Sequence, residues 1–306
     1  MKNYTSVSFY IVAHQDDWQL FMTPTAYLDL HNRATKVVFI YTTAGDAGKD
    51  RPYWTAREKG ALGSVQFALD TSFSAPEKVT SGQKTFRGHA LWSMEYKKSM
   101  SYFLRLPDGR MTGKGSPVYG EASLIKLRRQ HIPSITAVDN SSTYQSWDDF
   151  CQTLAEIIRA ESEGCKEVFL NASDFVLSRN FADNADHTAT GLAVKDTIDL
   201  LGGKFPLTLF RDYDIDLFPP NLSAVDVLWK TSLFIAYDVI IQAEINHFTH
   251  CESPFYMNYC LRQYSRQFNP QSGITSHLRH PRAILLPAYA NLRHALGTRS
   301  EGLARH

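Results

Sequence analysis

Cysteine is scarce in this chain of 306 residues, and no apolar run is long enough to cross a bilayer. Cys151, Cys165, Cys251 and Cys260 lack the close paired spacing of a zinc knuckle. A chain of this length does not need disulfides to fold, so they read as ordinary thiols. The first apolar run, residues 7–13, is too short and too poorly flanked for a signal peptide, and the expectation is a cytoplasmic protein. Without an export signal, the glycosylation sequons at Asn3, Asn140, Asn171 and Asn221 read as chance matches. Charge of one sign is also lacking: a net charge of +1 argues against a general nucleic-acid binder. Complete phosphate-binding glycine patterns are missing too. Gly45-Asp46-Ala47-Gly48 lacks the three-glycine dinucleotide signature, and the stretch from Gly109 to Ser116 is one residue short of a P-loop, with glycine after Lys114.

What remains is a balanced globular composition. With 43% hydrophobic and 21% charged residues, the chain can bury one large α/β core, or that core and a small appendage. Strand-like segments fall at residues 5–13, 36–43, 87–94, 100–105, 166–171 and 206–211. Helical patterns alternate with them at 18–32, 54–69, 147–162, 187–201 and 223–242. This alternation predicts an open, Rossmann-like α/β fold: a mainly parallel sheet, helices on both faces, and long loops over the carboxyl-end crevice. Residues 70–86 and 107–146 are polar and rich in turn formers, and read as those loops.

Residues 1–245 read as the α/β domain and 246–306 as an arginine-rich extension. In the latter, Arg262, Arg266, Arg279, Arg282 and Arg293 have few acids to balance them. Leu285, Tyr289, Leu292 and Leu296 recur at helical spacing, which predicts a helix packed on the core or on a second subunit of a homo-oligomer. His247 and His250, preceded by Glu244, and His277 and His280 stand three apart. A di-metal site needs a second Glu-x-x-His, so solvated or packed histidines are the better reading.

Chemistry concentrates in two polar turns. Val12-Ala13-His14-Gln15-Asp16-Asp17 closes the first strand and opens a helix, and strand carboxyl ends are where α/β sheets bind ligands. Asn184-Ala185-Asp186-His187 again precedes a helical pattern. Acidic residues at a helix start have a capping explanation, but a second imidazole beside a carboxylate shifts the balance toward a metal. His14, Asp17 and His187 would supply two nitrogens and one oxygen. That set suits catalytic zinc with an open position for water, and equally the facial triad of non-haem iron. Asp16, a spare carboxylate beside a ligand, favours hydrolysis with Asp16 as general base.

These residues resemble the PIG-L/LmbE-like zinc-dependent N-deacetylases, whose motifs read Ala-His-Pro-Asp-Asp-Glu and His-Pro-Asp-His where this chain has AHQDDW and NADH. The glycine-containing loop at 41–48, Arg57, the Leu106-Pro107-Asp108-Gly109 segment, Pro220-Asn221-Leu222-Ser223, Asp226, Lys230 and Tyr237 follow in the family's order, over roughly residues 5–242. The resemblance implies that His14, Asp17 and His187 hold Zn2+ (Fe2+ being admitted by related cradles) and that Asp16 is the base. It further implies that Asp186 orients a ligand imidazole from behind, and that Arg57 and Asp108 contact an N-acetylated small-molecule substrate. Asn184 replaces the first histidine of the second motif. Asparagine can donate to an oxyanion but cannot carry a proton, so Asp16 would perform both proton steps. Trp18 and Gly60 stand where many members have glutamate. The alternative is a non-catalytic carbohydrate-binding or regulatory protein that keeps the metal cradle. An iron oxygenase would need a cosubstrate site that the sequence does not display.

Overall fold

Apolar side chains of the first two strands alternate between two buried faces, so the sheet they form must be covered on both sides. The computed structural model describes residues 4–72, 75–202, 205–246 and 254–268, within a unit that runs from Met1 to Phe268. His247, His250, Cys251, His277, His280, Arg279, Arg282, Arg293 and the series Leu285, Tyr289, Leu292 and Leu296 lie outside the described residues.

Strand β1 (Ser6–Val12) leads through two short helices, α1 (Asp17–Phe21) and α2 (Thr25–His31), into β2 (Thr35–Thr43). Helix α3 (Arg51–Asp70) precedes the strands β3 (Thr80–Phe86), β4 (His89–Tyr96) and β5 (Ser99–Leu106). A long connection carries α4 (Leu124–Arg128) and the small pair β6 (Ile135–Thr136) and β7 (Thr143–Tyr144). Then come α5 (Trp147–Glu161), β8 (Glu167–Ser173), α6 (Ala185–Leu201) and β9 (Leu207–Phe210). Last are α7 (Ala224–Ile245), α8 (Pro254–Cys260) and β10 (Ser265–Phe268).

The sheet order is β10-β9-β8-β1-β2-β5-β4-β3. Strands β9, β8, β1, β2 and β5 run parallel, while β10 pairs antiparallel with β9 at one edge and β4 pairs antiparallel with both β5 and β3 at the other. Val7, Phe9 and Ile11 of β1 pack with Leu154 and Ile157 of α5 and Ala193 and Val194 of α6. Tyr10 and Val12 turn the other way, toward Phe21 of α1, Val65 of α3 and Phe234 of α7. This is a Rossmann-like α/β sheet with helices on both faces. Each large apolar side chain removed from water contributes roughly 1.5–3 kcal/mol, which is why both layers persist. Among the described residues, no helix is long and apolar enough to cross a membrane.

The winding positions the site. From β1 the chain moves outward to β2 and β5, then returns to β8 on the opposite side of β1. The strand order reverses there, and the loops leaving the carboxyl ends of β1 and β8 diverge to open a crevice.

Two expectations need correction, and one region gains detail. The helix expected over 18–32 is two helices separated at Pro24, whose ring lacks the N–H a continuous helix needs. Residues 80–86, expected as loop, form β3; this edge strand is mostly exposed, so its sequence lacks the apolar alternation of half-buried strands. In the arginine-rich region, residues 265–268 pair with β9 as the strand β10, and Arg266 forms a two-pronged ion pair with Asp174. Of the sequons, Asn171 is buried in β8 and donates to the Phe9 carbonyl, so it is no acceptor for a glycan.

Candidate metal centre

Polar residues follow the carboxyl ends of β1, β2, β5, β8 and β9, and the crevice gathers them. His14 lies just past β1, where Gln15 is fully buried and donates to the Thr43 carbonyl at 3.2 Å. That contact ties the first motif to the end of β2. Asp17 starts α1, and its Oδ2 accepts the backbone N–H of His14 at 2.8 Å. One carboxylate oxygen is thereby engaged and the other, Oδ1, is aimed inward.

His187 arrives on the first turn of α6. Asn184 caps that helix, its Oδ1 accepting the Asp186 N–H at 2.9 Å. Thr190 on the next turn meets Thr42 of β2 hydroxyl to hydroxyl at 2.8 Å. Gly191 lets α6 lie directly on β8, since a Cβ there would stand 2.3 Å from the Ser173 carbonyl oxygen.

The three expected ligands converge. His14 Nδ1 and His187 Nε2 are 3.1 Å apart, Asp17 Oδ1 is 3.1 Å from His187 Nε2, and it is 3.5 Å from His14 Nδ1. Tetrahedral zinc with bonds of about 2.0–2.2 Å sets its donors about 3.3–3.6 Å apart, and octahedral coordination at similar lengths sets neighbours about 2.8–3.1 Å apart. The observed edges suit a divalent ion and do not select one element. The donor chemistry agrees: behind His187, Asp183 Oδ1 takes the Nδ1 hydrogen at 2.8 Å, which leaves Nε2 to present a lone pair. His14 Nδ1 and Asp17 Oδ1 complete with it a donor set of two nitrogens and one carboxylate oxygen.

Electrostatics point the same way. Burial opposes charge on His14, but Asp17, with help from Asp186 and Asp108, outweighs it and pushes the imidazole up to about 10. Burial likewise opposes charge on His187, and Asp17, Asp183 and Asp212 raise its pKa well above the usual value. For Asp17, burial favours the neutral form, yet the two imidazoles hold it far below the usual carboxylate range. Without an ion these carboxylates recruit protons; a divalent cation would displace them.

Around this triangle sit the other expected residues. Asp16 pairs with Arg57 through Oδ1 and Nη2. Its side chain keeps 11% exposure, against 2% for Asp17 and none for His187, so it faces the accessible side. Arg57 also donates from Nε to the Tyr237 hydroxyl at 2.7 Å and from Nη1 to the Gly45 carbonyl at 2.7 Å. It therefore holds Asp16 from behind. Gly60 makes this geometry accessible: a Cβ would lie 2.8 Å from both the ring and the carbonyl oxygen of Tyr237, so a side chain here would push α7 away from α3. Trp18 is buried, with its indole N–H on the Tyr41 hydroxyl at 3.1 Å. Asp108 accepts N–H groups of Ala47 and Arg110. Its Oδ2 lies 4.0 Å from His14 Nε2, and Asp186 Oδ2 lies 3.5 Å from the same nitrogen.

Sequence reasoning missed several contributors. Asp183 stands one helical turn before His187, a spacing that marks it in retrospect. Asn180 donates to both Asp183 and Asp212, at 2.9 and 3.1 Å. Burial, and then Asp183, push Asp212 well above the usual range. Asp212 follows β9, so the strand-end rule that found His14 points to it too. Asp46, after β2, accepts the Asp108 N–H at 2.7 Å and is pushed up to about 6 chiefly by burial.

No protein-family model matches this chain, and no curated protein does. Among solved structures, the chain is similar to N,N'-diacetylchitobiose deacetylase from Pyrococcus horikoshii complexed with its inhibitor MPG, at 16% identity over 81% of this chain and 73% of that one, with a TM-score of 0.41.

Proposed function

We propose that this protein is a metal-dependent hydrolase of N-acyl amide bonds, an N-deacetylase acting on an N-acetylglucosamine-type conjugate or a related small molecule. The observation that carries the reading is the 3.1, 3.1 and 3.5 Å triangle of His14, Asp17 and His187 with Asp16 at its accessible side. The substrate class rests on the motif resemblance alone.

In this reading His14, Asp17 and His187 hold Zn2+, with Fe2+ as the alternative. The bound ion would supply Lewis acidity, lowering the pKa of water and polarising the amide carbonyl. Asp16 takes the proton of the attacking water and returns it to the departing nitrogen, so acetate and a free amine leave. Arg57 keeps the Asp16 carboxylate turned toward the reacting atoms. Asn184 has its oxygen committed to the α6 cap, and its amide N–H groups are the proposed donors to the developing oxyanion. Asp108 and Arg57 are the proposed substrate contacts.

A second reading, a metal-retaining binding or regulatory protein, is favoured by one observation: Asn184 occupies the place of a histidine and cannot shuttle protons. Acetate release from a panel of N-acetylglucosamine conjugates by metal-quantified protein separates the two. Activity is expected in the parent protein, with at least a hundredfold loss in Asp16→Asn at unchanged metal content. Full activity in Asp16→Asn removes it from the base role. No release by fully metallated parent protein favours the binding reading.

A further inference from the structure

Helix α7 is 22 residues long, and its two faces differ. One carries the buried Leu233, Phe234, Tyr237 and Ile241. The other leaves Val225, Leu228, Ile235 and Val239 between 43 and 67% exposed. With Ser232 and Gln242, these positions follow one another at spacings of three and four residues in alternation, the period of a two-helix seam. The strip carries no charge. Lys230 and Asp238 are buried, Asp226 closes the capping box with Ser223, and Glu244, beyond the strip, pairs with Lys59 at 2.6 Å. Solvent faces elsewhere look different: Asp148 and Arg159 are exposed on α5, and Asp199 on α6.

Three kinds of occupant suit an apolar strip, and the chemistry selects one. A lipid surface calls for basic side chains beside the apolar face, and the only Lys or Arg of α7 is the buried Lys230. A foreign helix is selected by charges flanking the seam. Here Trp229, Ala236 and Ala243 on one flank, and Thr231 and the buried Asp238 on the other, provide no exposed charge. A second copy needs only the same spacing and meets no like charge. The four exposed apolar side chains present roughly 100 Å² apiece, about half of the roughly 800 Å² that a stable interface buries on each partner. Ala224, Gln242 and Ala243, also exposed on α7, extend that area. So does the exposed Leu28 of α2, whose neighbour Tyr27 stacks on Trp229 at 4.6 Å.

We propose that two copies of this chain associate through this strip, α7 against α7 about a two-fold axis. Tyr237, which holds Arg57, lies on the opposite face of the same helix, so the pairing braces the element that supports Asp16 from behind. The proposal stands whether or not the protein is a hydrolase.

The test is sedimentation equilibrium of the full-length protein from about 1 to about 100 µM. A monomer–dimer equilibrium is expected, weakened by about a hundredfold or more in Ile235→Glu and in Ile235→Lys, since each sets like charges together in the seam. Ile235 lies near the middle of the strip, close to its own copy whether the helices run parallel or antiparallel. Because it is exposed, both variants should fold and melt as the parent protein does. An equimolar mixture of the two should recover the dimer, glutamate meeting lysine across the axis, a result that no foreign or internal occupant gives. A parent protein that stays monomeric overturns the proposal, and an unreactive thiol in Ser232→Cys would then assign the strip to another segment of this chain. A dimer that Ile235→Glu leaves intact overturns it by placing the interface elsewhere, and so does a mixture that fails to dimerise.

Discussion

The two imidazoles that meet at the crevice are backed in opposite ways. Behind His187, Asp183, Asn180 and Asp212 form a closed network of contacts between 2.8 and 3.1 Å. Behind His14, Asp186 and Asp108 stand off at 3.5 and 4.0 Å, pinned to the backbone rather than to the ring. The closed side comes from the loops after β8 and β9 and the start of α6, with Asn180 reaching across to both carboxylates. The open side faces the loops after β2 and β5, whose aspartates are spent on turns. One ring is therefore held by its outer contacts, while the other is positioned mainly by its own loop, through the Asp17 contact to its backbone.

The strongest way to break this comparison is to remove a ring. His187→Ala and His14→Ala should each lower metal affinity by more than about 100-fold, beyond the usual effect of an outer partner. Unchanged metal content in either would relocate the site. Sharper is Asp183→Ala, expected to cost about 10- to 100-fold in metal affinity, because the Nδ1 hydrogen of His187 loses its acceptor. If Asp183→Ala and Asp186→Ala weaken metal binding equally by isothermal titration, the distinction between closed and open sides fails.

A related contrast separates two buried cations. Burial opposes charge on Arg57, but Asp16 outweighs it and keeps its pKa well above the usual value. Lys230 is fully buried in α7, donates to the Arg262 carbonyl, and is pushed down to about 7 by burial. Its folded pKa lies below the unfolded one, near 10.4, so between about pH 7 and that value the unfolded chain binds more protons. Stability from this group therefore rises with pH across that window. Denaturation curves for Lys230→Met should lose that upward slope relative to the parent protein, and an unchanged slope would mean the amine is ordinarily charged. The smallest effect is at the α6 cap: Asn184→Ala should cost about 1 kcal/mol of stability, and Asn184→Asp should restore most of it. Equal denaturation midpoints for the two variants would show that the cap contributes little.

The sheet was legible because strands buried on both faces must be apolar and helices covering them must be periodic, which the segments around Val7, Phe39, Leu154 and Val194 satisfy. The candidate ligands were legible for a related reason. His14, Asp17 and His187 sit at strand-to-helix turns, where polar residues next to an apolar run have no packing role to explain them. Strand β3 was not legible, since an edge strand in water carries no burial pattern. Nor was Gly60, whose meaning depends on Tyr237, far away in the chain.

By itself the sequence determined which residue types could ligate an ion and where the strand ends would expose them. The tertiary structure alone decided which nitrogen of each ring faces the other, that Asp183 and not its neighbour Asp186 closes the rear of His187, and that Arg57 is turned onto Asp16. Local pattern encodes burial, which each residue meets or fails on its own. Orientation of a polar side chain depends on partners brought from other loops, and those partners have no fixed spacing in the chain.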